Sequence, residues 1–337
     1  MDILKNYRMG VNLGGWLSQY GMRLTCEHLD TFVTPSDIER IAGWGMDHVR
    51  LPVDYPVLEA EGTAVYVDKC IQWCSEQGLN VIIDLHRAPG YSFHNLQDNS
   101  LFDDLQVQER FLDIWRGLSR RLEAQGDNVM YEILNEVVEP DSSRWNSLAK
   151  KAVEAIRELD EDRKLLIGSN NYSSVHTLKE LEIFDDPNTI YTFHFYEPHL
   201  FTHQKAYWNE SFRKYDQMLE YPGSFTNLEG FLKENECYKK EFERYVGRKL
   251  DKQLMLEDMK PVLEFMAATG KPVYCGEYGV IENAPTESRI NWHRDFVDIL
   301  KKLDIGRAVW TYKTMNFGLT DMNGDIVSDE LVQIVSS

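Results

Sequence analysis

Asn80-Val81-Ile82-Ile83-Asp84-Leu85, followed at once by His86-Arg87, is the stretch on which the fold turns. Its apolar run is continuous rather than alternating. A strand buried on both faces needs that pattern, and such strands belong to parallel sheets covered by helices. Val67–Gln77 before it has apolar residues near helical spacing, and Leu105–Ala124 after it is a long amphipathic segment. The same rhythm extends both ways. Met9–Leu13, His48–Leu51, Val129–Leu134, Lys164–Gly168, Thr189–Phe195, Pro272–Cys275 and Gly306–Trp310 read as further strands. Ser143–Leu159 and Glu287–Leu303 read as helices between strands, and Asp329–Val335 as a short closing one. Thr34-Pro35 opens another helix, with Thr34 as N-cap and proline at the first helical position.

Eight strands in alternation with helices point to a parallel α/β sheet closed on itself, a (β/α)₈ TIM barrel. A doubly wound open sheet would bring a phosphate-binding G-x-G-x-x-G loop after its first strand. Asn12-Leu13-Gly14-Gly15-Trp16 lacks that spacing, so its glycines serve a tight turn. The whole chain, 1–337, reads as one catalytic domain. Residues 197–250 break the rhythm with no strong strand signal and many aromatic rings, Tyr207, Trp208, Phe212 and Tyr245 among them. A segment that long after strand six is expected to form an insertion subdomain on the C-terminal face, where barrels build their active sites.

Composition narrows the function. Of 337 residues, 36 are Lys or Arg and 55 are Asp or Glu, a net charge of −19. That field disfavours nucleic acid and anionic membrane surfaces as partners and suits an uncharged substrate. The 5 cysteines are odd in number and form no C-x-x-C pair, so neither a zinc ribbon nor a paired disulfide framework is expected. The histidines share no metal-ligand spacing, and neither metal nor cofactor is expected. The N-terminus carries no apolar leader, and no window reaches the ~18 apolar residues of a membrane span. A cytoplasmic monomer is the expectation, with an exported form left open.

In a barrel, the polar residues at the C-terminal strand ends are the ones to interrogate. They are Arg50, His86, Asn135 with Glu136, His194 with Tyr196, Glu277 and Trp310. Glu136 and Glu277 stand at the mouths of strands four and seven, where they can face one another. Two carboxylates before a neutral substrate, one to protonate a leaving oxygen and one to attack or to activate water, are the equipment of glycoside hydrolysis.

Gly10-Val11-Asn12-Leu13-Gly14-Gly15-Trp16, His48-Val49-Arg50-Leu51-Pro52, Leu134-Asn135-Glu136-Val137-Val138-Glu139-Pro140, His194-Phe195-Tyr196 and Cys275-Gly276-Glu277-Tyr278-Gly279 together resemble glycoside hydrolase family 5, in order, from Met9 to about Trp310. The resemblance implies a retaining endo-β-1,4-glucanase (cellulase) acting on β-glucan. A mixed-linkage β-1,3-1,4-glucanase, an exo-β-1,3-glucanase and a β-mannanase are the alternatives within the family. It implies Glu136 as general acid/base and Glu277 as nucleophile held ionised by Arg50 and Tyr196. Asn135 would bind the 2-hydroxyl, His86 and His194 would line the neighbouring subsite, and Trp310 would stack on the sugar. Retention implies carboxyl groups about 5–5.5 Å apart. The chain departs from the member it most resembles at Arg87, where that member has a second His, and at Glu197, where it has Asn before the proline. Arg87 is longer and always charged, so its sugar contact would differ. Trp208, inside the insertion, is an additional stacking candidate.

Overall fold

The computed structural model describes residues 2–21 and 24–337. Its eight barrel strands are β1 (Met9–Asn12), β2 (His48–Asp54), β3 (Asn80–Arg87), β4 (Val129–Glu132), β5 (Leu165–Gly168), β6 (Thr189–Phe195), β7 (Val273–Tyr278) and β8 (Gly306–Val309). Every neighbouring pair is parallel and sequential, and β1 closes on β8 with Met9 opposite Arg307. The principal helices are α1 (Pro35–Gly43), α2 (Val65–Glu76), α3 (Leu105–Arg121), α4 (Ser143–Arg157), α5 (Lys260–Thr269), α6 (Thr286–Lys302) and α7 (Asp329–Val335). Thr34 and Asp37 form a capping box at the start of α1, with Pro35 inside the first turn. Among the described residues no helix is long and apolar enough to cross a membrane.

Strict alternation fails once. Between β5 and β6 the chain makes only a turn at Asn170–Ser173 and a 3₁₀ helix at Val175–Glu180. The run Ser169-Asn170-Asn171-Tyr172-Ser173-Ser174 explains this, because Ser and Asn side chains hydrogen-bond nearby backbone and compete with a helix. Ser169 Oγ donates to Ser174 O at 2.7 Å.

The barrel interior is layered by the two-residue period of its strands. Ile82, Met130, Leu166, Ile190, Tyr274 and Ala308 form an apolar floor, sealed by Leu4 and Tyr7 from the N-terminal segment. Two residues further along come Asp84, Glu132, Thr192 and Gly276, so the interior turns polar toward the C-terminal ends. One irregularity reverses this parity. The β6–β7 register runs Phe193 opposite Cys275, then slips so that His194 lies opposite Glu277. Tyr274 belongs to the floor and Cys275 to the helix-side core. The extra residue at Gly276 therefore brings Glu277 back inside, as a bulge re-aims a side chain.

Between β6 and α5 lie the short helices His199–Thr202, Glu210–Tyr215, Leu228–Glu234, Lys239–Phe242 and Lys252–Asp258. Gly223–Ser224 pairs antiparallel with Lys249–Leu250. Most rings of this segment are core rather than open surface: Phe212, Tyr215, Phe231, Phe242 and Tyr245 are buried, whereas Tyr207 and Trp208 are exposed. Trp16 and Trp145 are also wholly buried, each donating its indole N–H to a backbone carbonyl.

Candidate active site

The site is organised from beneath by Arg50, fully buried on β2. Its Nε and Nη2 donate to the two oxygens of Glu132 at 2.7 and 2.9 Å, a bidentate fork. Nη1 donates to Asn12 Oδ1 and to Glu277 Oε1, both at 2.9 Å. Nη2 also donates to Asn135 Oδ1 at 2.8 Å and lies 3.1 Å from Asp84 Oδ2. Burial opposes the charge on Arg50, but Asp84, Glu132 and Glu277 together hold its pKa above the ordinary value. Asn12 fastens the frame by donating to the carbonyls of Gly276, Ala308 and Val309.

Both oxygens of Glu277 are engaged, since Tyr196 OH donates to Oε2 at 2.9 Å. Glu136 sits in a different environment. It follows β4 with a left-handed φ of 43°, a conformation a non-glycine residue adopts only when its surroundings impose it. Tyr91 imposes it here, donating to Glu136 O at 2.7 Å and accepting from Val138 N at 2.8 Å. Among the described residues, the one side chain that hydrogen-bonds the Glu136 carboxyl is His194, with Nδ1 2.9 Å from Oε1. Burial pushes the Glu136 pKa up to about 8, against Arg50 and His199, which favour the carboxylate. Burial also drives His194 down to about 4, so its imidazole is neutral near pH 7. Two carboxyl groups are thus placed with opposite tendencies, one inclined to keep its proton and one gripped by donors.

His86 ends β3 with Nδ1 2.6 Å from Asp84 Oδ2. Its ring stacks parallel to Trp310, with centroids 5.9 Å apart and planes 4° from parallel. Gly14 has to be glycine for Trp310 to lie there, because a Cβ would stand 2.7 Å from the indole. Arg87 leans away onto the end of β2, with Nε 3.6 Å from Asp54 Oδ2 and its guanidinium 5.5 Å from the Tyr55 ring centroid. Trp208 is 48% exposed and meets His203 edge-on at 6.3 Å. His203 in turn packs against Tyr196 at 5.0 Å, so a chain of rings links Trp208 to the site. Glu197 is tied to that same segment: Tyr245 OH donates to its Oε2 at 2.7 Å, and Arg244 lies 3.3 Å away.

Arg50, His86, Asn135, Glu136, His194, Tyr196, Glu277 and Trp310 therefore converge, while Arg87 and Trp208 lie at the margins. Asn12, Asp84, Glu132 and Tyr91 are additions. Asp84 and Glu132 had a legible signal, a lone charge inside an otherwise apolar strand. Tyr91 had none, because its role depends on a backbone torsion.

Among the described residues, Glu136, His194 and Glu277 are the one group whose ligating atoms lie close enough for a metal, all within 4.8 Å of one another. Their donors do not suit a cation. Both oxygens of Glu277 already accept protein hydrogen bonds, one from a guanidinium that would repel it.

The sequence pattern of the family described as Cellulase (glycosyl hydrolase family 5) matches residues 13–316. The chain belongs to glycoside hydrolase family 5. It is 46% identical over 339 residues to Endoglucanase C of Acetivibrio thermocellus, covering 98% of each chain. It is 33% identical to Cellodextrinase A of Ruminococcus flavefaciens over 306 residues, 88% of this chain and 83% of that one. In fold it is similar to endoglucanase Cel5A from the hyperthermophilic Thermotoga maritima, with a TM-score of 0.80 at 23% identity over 99% of this chain and 100% of that one. The hydrolase thus carries its two carboxyl groups on a barrel of the family's architecture.

Proposed function

We propose that this glycoside hydrolase is a retaining endo-β-1,4-glucanase that cleaves internal bonds of cellulose-type β-glucan by double displacement. The observation that carries the reading is the pairing itself. Glu136 and Glu277 each have a carboxylate oxygen within a 4.8 Å cluster. That closeness supports the ~5–5.5 Å carboxyl spacing of retaining enzymes over the ~6.5–9.5 Å spacing with which an inverting pair makes room for water.

In the first step the Glu277 carboxylate attacks the anomeric carbon as Glu136 gives its proton to the departing glycosidic oxygen. The C1–O bond to the leaving sugar breaks and a glycosyl ester to Glu277 forms. In the second step Glu136, now a carboxylate, takes a proton from water. The water oxygen bonds to C1, and Glu277 leaves with its electron pair. Arg50 and Tyr196 each donate to one oxygen of Glu277 and so aim its carboxylate. Asn135, fixed through Oδ1 by Arg50, has a buried Nδ2 with no partner among the described residues, which would donate to the 2-hydroxyl. Trp310 offers its face to the sugar, and Trp208 with the 197–250 segment borders further subsites. The high identity to Endoglucanase C over nearly the full length supports the β-1,4 reading.

A substrate panel with product chromatography tests it. Carboxymethylcellulose should lose viscosity well before much reducing sugar appears, and cello-oligosaccharides should yield mixed short products. Glucose as the sole early product from laminarin, or cleavage of mannan alone, would refute the reading.

A further inference from the structure

Asp84 takes no part in the double displacement, yet it is fully buried directly beneath the sugar-facing residues. Its Oδ2 faces two groups, His86 Nδ1 at 2.6 Å and Arg50 Nη2 at 3.1 Å. The Nε2 of His86 is buried and has no hydrogen-bond partner among the described residues. The ring cannot swing to find one, because Trp310 lies flat against it and Phe93 meets it edge-on at 5.1 Å. In a histidine held this way, the hydrogen bond of one nitrogen decides the protonation of the other.

We propose that Asp84 is a positioning residue: by accepting the Nδ1–H of His86 it fixes that ring in one tautomer and presents an unprotonated Nε2 as acceptor to a hydroxyl of the sugar held beside Glu277. The inference rests on the glycan-hydrolase reading for the identity of the ligand. Two observations place the shared proton on His86. The oxygen that faces Nδ1 also lies 3.1 Å from Nη2 of the Arg50 guanidinium, whose positive charge favours an unprotonated oxygen there. Burial also lowers His86 to about 3, which keeps the imidazole neutral with a single N–H to place. Burial raises Asp84 to about 7, with Arg50 opposing the rise. An acceptor-only Nε2 would select a hydroxyl that donates. The other tautomer would set an Nε2–H donor against that hydroxyl's own O–H.

Two measurements test this. In the unliganded wild-type protein near neutral pH, long-range ¹H–¹⁵N correlation spectra, with His86 assigned by comparison with His86→Phe, should show the Nδ1–H tautomer. An Nε2–H tautomer or a doubly protonated ring would overturn the proposal. This arm needs neither a folded Asp84 variant nor any catalytic activity. The second arm is a double-mutant cycle on an aryl β-cellobioside. Asp84→Asn should lower kcat/KM about ten- to a hundredfold in the wild-type background, in the range expected when a buried polar group loses its partner. In the His86→Phe background the same change should cost less than about threefold. An equal loss in both backgrounds would place the action of Asp84 on Arg50 and overturn the proposal. If the wild-type protein cleaves no β-glucoside, the substrate reading fails, and the tautomer measurement still decides the role of Asp84.

Discussion

Glu136 and Glu277 are chemically alike, and their neighbours make them different. Glu136 touches one neutral imidazole and is half-buried and desolvated, so its pKa rises to about 8. The form needed for bond cleavage is the protonated one. Activity as kcat/KM should therefore fall along an alkaline limb with an apparent pKa near 8, read from a pH–rate profile on cellotetraose. Glu136→Gln should lower kcat on such unactivated substrates by about 10²–10⁴-fold. On aryl glycosides whose leaving group needs no proton, the same change should leave kcat/KM far less affected. The same shift has a cost in stability. Between the ordinary carboxyl value and about 8 the unfolded chain is ionised at this position while the folded one keeps its proton, so folding stability drops as pH rises through that window. Glu136→Gln should thus melt higher than wild type at about pH 8, and the difference should vanish at about pH 4. Tyr196→Phe removes a hydrogen bond to the Glu277 carboxylate and should lower kcat/KM about ten- to a hundredfold with the melting temperature little changed. The identities of these residues were legible in the sequence because strand-end polar residues stand out against apolar runs. The left-handed φ of Glu136 and its Tyr91 clamp were not, since a torsion leaves no mark on residue type.

At the scale of elements, placement of the site depends on two close approaches and one slipped register. Gly14 lets the first loop pass under Trp310, and at Gly276 a Cβ would lie 3.0 Å from Thr192 Oγ1 and 3.1 Å from His194 Nε2. Gly14→Ala should raise KM for cello-oligosaccharides several-fold by displacing Trp310, at about 1–3 kcal/mol of stability from overpacking. Equal KM values for the two proteins would show that Trp310 does not bear on substrate. The register slip between Phe193–Cys275 and His194–Glu277 turns Glu277 inward. Apolar periodicity found β7 but could not show that slip, because a bulge adds one residue without changing the run's character. No helix is read between Lys164–Gly168 and Thr189–Phe195, and the Ser/Asn-rich run after β5 sustains only a turn and a 3₁₀ helix there. The many rings of residues 197–250 also divide in a way that composition cannot show. Most fill a core, and only a few, Trp208 among them, remain open.

Across the whole molecule, one buried cation serves several carboxylates, and this arrangement sits within a chain of net charge −19. On the proposed reading, such a centre would hold an uncharged ligand by hydrogen bonds and ring faces, without a metal bridge. Activity after exhaustive chelation should equal that of the untreated protein. Loss restored by a divalent ion would instead assign the Glu136–His194–Glu277 cluster to metal binding. The closed barrel could be read from the alternation around Asn80–Leu85, and its catalytic end from the order of polar residues along the chain. How the carboxylates share Arg50 could not, because those contacts join residues from β2, β3, β4 and β7 that are distant in sequence. The stereochemistry of cleavage tests the central claim most directly, since it reports the spacing of the two carboxyl groups in action. In ¹H NMR spectra taken within the first minutes of cellopentaose hydrolysis, the new reducing ends should appear as the β-anomer and only later equilibrate to α. Initial appearance of the α-anomer would mean inversion and would contradict Glu277 as a nucleophile.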